Sequence, residues 1–158
     1  MIPLWEIENK NLMIVNFEEP KHNWIKVRLK RDDFNLEFHA SAIPDNPVAE
    51  LISSLLKISS GVSSTIVWHT EPEKYILSFE KQNEEYQLQI VRYLDTKNQS
   101  LLFTSNGDFA KIIVPFYRAI KNLFSSAINE KDWPIQDIEK IEKLKIKITE
   151  NKIIQSRR

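Results

Sequence analysis

Two stretches of strict polar–apolar alternation, residues 24–30 and 34–40, constrain the fold more than any other feature of the sequence. A period of two is typical of a strand that is buried on one face. We predict a hairpin with a two-residue turn at Arg31-Asp32. Its buried pairs would be Leu29 with Phe34, Val27 with Leu36 and Ile25 with Phe38. This register is favoured because all six apolar side chains then share one face, while Lys30 meets Asp33 and Lys26 meets Glu37 on the other.

A second hairpin is predicted further along, with Gln82-Asn83 as its turn. Asn83 suits the turn because asparagine tolerates a positive φ. The buried pairs would be Phe79 with Tyr86, Leu77 with Leu88 and Tyr75 with Ile90. The same register places Glu80 opposite Glu85, a mildly repulsive pair on the wet face.

The remaining pattern predicts three more strands, at 12–17, 65–69 and 101–104, and three helices. Asn46-Pro47 is typical of a helix start. A capping box of Ser105 and Asp108 would open the second helix. Pro115 lies inside that helix and should kink it. A third helix would follow Trp133-Pro134, with Ile135 and Ile138 on its apolar side. The predicted order is β-β-β-α-β-β-β-β-α-α. We expect an α+β fold, with one antiparallel sheet of about six to seven strands and two to three helices on one face.

The length of 158 residues indicates one domain, which we place at 1–145, followed by a basic C-terminal tail at 146–158. Alternation at 145–148 leaves helix, strand and disorder open for that tail.

The composition excludes several classes of protein. Two glycines are too few for a phosphate loop or a dinucleotide fingerprint, and the absence of cysteine excludes disulfides and thiolate metal sites. Because Lys+Arg and Asp+Glu both number 22, a nucleic-acid partner is not expected. With no secretory signal and no apolar run of about 20 residues, we expect a cytoplasmic protein without a membrane partner.

Residues 68–75 hold the densest cluster of chemically active side chains. His69 and Glu71 suggest a metal or acid–base site, although a metal site needs three or four ligands, and a surface turn explains the same residues. No catalytic residue, metal or cofactor is therefore predicted. Trp24 heads a basic row (Lys26, Arg28, Lys30) that resembles a single-strand nucleic-acid platform, but Asp33 and Glu37 would cancel most of its charge. Exposed tryptophans on a sheet are typical protein anchors. The binding residues we predict are Trp24, Trp68, His69, Glu71, Tyr75 and Tyr93.

Three segments carry a family resemblance: 68–75 with its acidic-Pro-acidic-Tyr turn, the charged hairpin at 81–84, and the helix opened by Asp108-Phe109-Ala110. Over residues 25–145 the chain resembles a family of small uncharacterised bacterial α+β proteins. It departs from them at Glu73 and Asn83, where that family usually has glycine. The resemblance implies a fold and carries no activity or functional residue.

Three hypotheses about function follow. The first is a non-enzymatic protein-binding module, for instance an immunity protein that neutralises a toxin, a class that small α+β proteins of this kind often resemble by analogy of fold alone. The second is a small-molecule binder whose pocket between sheet and helices is lined by Tyr75, Tyr86, Tyr93 and Tyr117. The third is a metal-dependent enzyme around His69 and Glu71. The oligomeric state is left open.

Overall fold

The alternating segments form seven strands in the computed structural model, which describes residues 12–125, 127–134 and 137–156. Three strands precede the first helix: β1 (Ile14–Phe17), β2 (Trp24–Arg31) and β3 (Phe34–Ser41). After α1 (Pro47–Ser59) come β4 (Ser64–His69), β5 (Lys74–Gln82), β6 (Glu85–Tyr93) and β7 (Gln99–Gly107). The chain then forms α2 (Phe109–Ile112), α3 (Val114–Leu123) and α4 (Ile138–Ser156). The α+β class is as predicted, and the order of elements matches the predicted order except that three helices and not two follow β7.

The seven strands form two antiparallel sheets, β1-β2-β3 and β4-β5-β6-β7, so the prediction of a single sheet was wrong. Aromatic contacts between the sheets show why. Phe34, at the start of β3, stacks on Phe103 in β7 at 4.5 Å, and Phe38 stacks on Tyr75 in β5 at 4.3 Å. β3 therefore crosses the buried face of the second sheet, where its rings are removed from water, and does not extend that sheet at an edge.

Both hairpins turn one residue later than predicted, at Asp32-Asp33 and Asn83-Glu84. Leu29 consequently pairs with Leu36, and Phe79 with Leu88. The first turn residue of each hairpin has a positive φ, 52° at Asp32 and 56° at Asn83, which Asp and Asn tolerate better than the Arg31 and Gln82 that precede them. Because the pairing slides by two residues, each side chain keeps its predicted face.

The shift also removes the repulsion that the predicted register contained. Glu80 now lies opposite Gln87, and Glu85 lies opposite Gln82. On the first sheet, Glu37 pairs with Arg28 in the register and forms ion pairs with both Arg28 and Lys26.

The first helix begins as predicted, with the Asn46 side chain accepting hydrogen bonds from the backbone N–H groups of Val48 and Ala49. The capping box was wrong. β7 continues to Gly107, so Ser105 is a strand residue and Asp108 is itself the cap, accepting from the Lys111 N–H at 2.9 Å.

Pro115 ends up in the first turn of α3, where its missing N–H is tolerated, and the predicted kink is a break between α2 and α3. The last helix starts at Ile138, later than predicted, and the Asp137 carboxylate caps it by accepting from the Lys140 N–H. Ile135, which we predicted to lie in this helix, is outside the described residues. α4 then runs unbroken to Ser156 with Ile148 buried, so residues 146–156 are helical.

The core lies between the inner faces of the two sheets and the helices. α1 packs on β4, α3 packs on β1, and α2 covers the ends of β6 and β7. Phe79 and Phe116 meet edge to face at 5.2 Å, and both are fully buried. In the described part of the chain, no helix combines the length and apolar character needed to cross a membrane.

Candidate functional site

The four-stranded sheet has one face turned away from the core, which we call the outer face. Alternation along β4, β5 and β6 sends Trp68, Leu77 and Leu88 inward and the residues between them outward. The register then aligns four apolar outward residues directly across the strands. We call them the apolar row: Val67, Ile76, Val91 and Leu101.

The apolar row is accessible along its whole length. Leu101 is 61% exposed at one end, and the other three side chains are half-buried. A register irregularity between Ile90 and Val91 brings Leu101, rather than Leu102, opposite Val91. This bulge keeps Leu101 on the outer face and leaves Leu102 packed against the core.

Two polar rows flank the apolar row. One aligns Thr65, Ser78, Gln89 and Thr104, and the other aligns His69, Lys74, Tyr93 and Gln99. The hydroxyl oxygens of Thr65 and Ser78 are 3.3 Å apart, and the Lys74 ammonium lies 5.5 Å from the centre of the Tyr93 ring. Among the described residues of these four strands, alternation places formal charges on the outer face at Lys74, Glu80 and Glu85 alone, all near strand ends. Its centre is neutral.

The structure brings two of the predicted binding residues together on the outer face. His69 and Tyr93 lie in the same cross-strand row, on either side of Lys74, and both are half-buried. His69 also lies near Glu50 of α1. Burial raises the pKa of the Glu50 carboxyl, Asp45 adds to the rise, and the Val67 N–H and His69 partly offset it.

Trp68 and Tyr75 are core residues. Trp68 is 2% exposed and packs on Phe17 and Phe38, with ring centroids 6.0 and 5.5 Å away. Tyr75 stacks on Phe38, and burial raises the pKa of its phenol, with the charge of Glu73 adding to the effect. Neither ring is exposed as a surface anchor.

Glu71 lies in the turn between β4 and β5, exposed and with a φ of 46°. Thr70 closes this turn by donating from its N–H and its hydroxyl to the Glu73 carbonyl. Within the described ranges, no three His, Cys, Asp or Glu side chains are grouped so that they could hold a metal ion. His69 and Glu71 therefore have no third ligand among those residues.

Trp24 lies apart from the other predicted site residues, at the start of β2 in the first sheet, and is half-buried. In the basic row beside it, Lys26 and Arg28 are neutralised by carboxylates. Arg28 bonds to Glu37 at 3.0 Å and lies 3.4 Å from Glu18. Hydrogen bonds from Lys26 and then Arg28 lower the pKa of Glu37. This carboxylate is thus held ionised beside the two cations.

The four tyrosines predicted to line one pocket do not meet. Tyr75 and Tyr86 are buried on the inner face, where Tyr86 packs edge to face against Phe109, while Tyr93 is on the outer face and Tyr117 is on α3. A different groove of about 490 Å³ lies between α1 and the edge of β4. It is lined by hydroxyl and charged side chains, among them Ser53, Ser64, Glu50, Lys57 and Lys140.

Sequence reasoning did not find the apolar row. Alternation indicates that Ile76 and Val91 point away from the core, but only the register shows that they are neighbours. That register depended on the position of one turn, Asn83-Glu84.

Comparisons with models of protein families, with curated proteins and with solved structures find no match for this chain.

Proposed function

We propose that this chain is a protein-binding module whose binding site is the outer face, centred on the apolar row. The observation that carries the proposal is the continuity of Val67, Ile76, Val91 and Leu101 across all four strands. A packed sheet with a single apolar row on its free face can bury that row only against another molecule.

The distribution of charge supports a protein as the partner. Interface cores are depleted in charge, and their rims are polar. The outer face has this arrangement, because Thr65, Ser78 and Gln89 flank the apolar row on one side, while Glu80 and Glu85 lie toward one end of the strands and Lys74 toward the other. Tyr93, held over Lys74, adds an aromatic ring of the kind enriched in interfaces.

Purification of the tagged full-length chain from its native host tests the proposal. We expect a stoichiometric partner that Ile76→Glu loses, because a carboxylate would be desolvated in the centre of the interface. Ile146→Glu is the matched control, since Ile146 is 56% exposed on α4, away from the sheet. Thermal melts establish that both variants are folded.

Three outcomes would contradict the proposal: recovery of no stoichiometric partner, retention of the partner by folded Ile76→Glu, or equal loss in Ile146→Glu. Neutralisation of a toxin is the form of binding that we place first. It requires that co-expression of the chain protects cells from the partner and that Ile76→Glu abolishes this protection.

The groove between α1 and β4 favours a second candidate function, binding of a small polar molecule. Lys57, Lys140 and Glu50 line the groove together with hydroxyl side chains, and the Lys140 ammonium donates to the Ser53 hydroxyl at 3.3 Å. A ligand screen by thermal shift tests this candidate, since a specific ligand at a hundredfold excess over its dissociation constant stabilises by about 2.7 kcal/mol. Equal ligand-induced shifts of the melting temperature in wild type and Lys57→Met would exclude the groove as the binding site.

A further inference from the structure

In the described part of the chain the two sheets have four edge strands, and β7 is the longest of them. It spans nine residues, Gln99–Gly107, and contains no charged side chain. Within the described part of the chain, its only strand neighbour is β6. Most of its residues from Gln99 to Asn106 are exposed or half-buried. An edge of this kind is a template for pairing with another strand.

The other three edges are protected against pairing. β1 has only four residues, and β3 carries Glu37 within the strand. β4 has α1 packed against it, with the Glu50 carboxyl beside the Val67 N–H. Short strands, charged residues, covering helices and β-bulges are the usual means by which proteins prevent edge-to-edge association. β7 has a bulge at Leu102 and α2 at its end, but it is neither short nor charged.

The neutrality of β7 determines which partner suits it. When two copies of one strand pair antiparallel about a twofold axis, the residue on the axis meets its own copy, and the residues beside it lie diagonal to their own copies. A charged residue near the axis would then lie close to an identical charge, which is destabilising. A strand with leucine, phenylalanine, serine and threonine in its middle meets its copy without this penalty. The absence of charge along nine residues is thus the property that self-pairing requires.

We propose that two copies of this chain associate through β7, joining their four-stranded sheets into one antiparallel sheet of eight strands. The twofold axis of such a pair is perpendicular to the sheet, so both outer faces look the same way. Leu101, 61% exposed in the single chain, would be covered in part by the second copy. The two apolar rows would then lie on one continuous surface.

A pair of matched substitutions tests this association. Thr104 and Thr65 lie in the same cross-strand row at opposite edges of the sheet, and both are exposed. Thr104 is one residue from the middle of β7, so pairing along the full strand brings the two copies of Thr104 to diagonal positions about 7–8 Å apart. Thr104→Lys would place two like charges there, whereas Thr65→Lys leaves β7 unchanged.

Sedimentation equilibrium of the purified full chain, from micromolar to millimolar concentration, measures the result. One chain has a mass of 18.6 kDa. We expect wild type and Thr65→Lys to reach twice this mass, whereas Thr104→Lys should keep the mass of one chain. A wild type that is monomeric throughout, a folded Thr104→Lys that still dimerises, or an equal loss in both variants would overturn the proposal.

Hydrogen exchange on the wild type provides a second test that needs no variant. The amide protons of β7 should exchange more slowly at millimolar than at micromolar concentration, and concentration-independent exchange in β7 would also overturn the association. Neither experiment involves a partner protein. Failure of the β7 association would therefore leave the proposed binding function of the outer face standing.

Discussion

Phe38→Ala is the substitution that most sharply tests how the two sheets are joined. Phe38 is 7% exposed and contacts two rings of the second sheet, Tyr75 at 4.3 Å and Trp68 at 5.5 Å. Truncation of a buried phenylalanine costs about 3–5 kcal/mol through lost transfer energy and the cavity that remains. The total stability of a domain is about 5–15 kcal/mol, so the variant should lose a large fraction of it.

Phe34→Ala is the control, because Phe34 is in the same strand and also stacks on a ring, Phe103 at 4.5 Å, but is only half-buried. Loss of one aromatic pair and of a partly buried ring should lower the free energy of unfolding of Phe34→Ala by about 1–2 kcal/mol. Urea unfolding followed by tryptophan fluorescence measures both losses, provided that the slope of free energy against urea is unchanged. A loss under about 1 kcal/mol for Phe38→Ala, or a loss at least as large for Phe34→Ala, would refute the crossed-sheet packing.

Three further predictions concern single side chains. Trp68→Phe should lower the free energy of unfolding by about 1–2 kcal/mol, and Trp68→Ala by about 3–5 kcal/mol. The loss is smaller for phenylalanine because the buried indole N–H has no hydrogen-bond partner among the described residues, so its removal breaks no hydrogen bond. Equal losses in urea unfolding would contradict this prediction. Asn46→Ala should lower the free energy of unfolding by about 1 kcal/mol because it removes the cap of α1, while Asn46→Asp should retain most of the stability. Equal stability of the two variants would show that the side chain does not act as a cap. Glu50→Gln should be more stable than wild type at neutral pH, since the raised pKa of Glu50 means that folding disfavours its charged form. That advantage should vanish in thermal melts as the pH falls through the raised pKa toward the ordinary value of 4.5, and an advantage that grows with acidity would contradict the assignment.

Local sequence patterns were enough to predict most of the elements and their faces. Alternation gives the faces of β2, β3, β5 and β6 regardless of a two-residue slip, since side-chain direction repeats every two residues. The cap at Asn46 and the helix break at Pro115 are likewise local effects of backbone hydrogen bonding.

Features that depend on residues distant in sequence were predicted poorly. The division into two sheets rests on Phe34 meeting Phe103 and Phe38 meeting Tyr75, contacts that no local period encodes. Trp68 was predicted as a binding residue because a tryptophan exposed on the open face of a sheet is a typical protein anchor. Alternate residues of β4 face the core, and Trp68 is one of them, next to Phe38.

The candidate site was predicted only in part for the same reason. His69 and Tyr93 were selected separately for their chemistry, and the register of β4 to β7 makes them members of one row. The apolar row between Val67 and Leu101 has no chemical signature in the sequence. It exists because four strands align one apolar residue each on the free face of the sheet.

Photo-crosslinking from the outer face measures the central claim most directly. A photoreactive residue in place of Val91, in the middle of the apolar row, should give one discrete adduct with a partner protein in the native host, and Ile76→Glu in the same chain should abolish it. The same photoreactive residue in place of Lys143, exposed on α4, should give no such adduct. An adduct of equal yield from both positions, or none from Val91, would contradict the assignment of the outer face as the binding site.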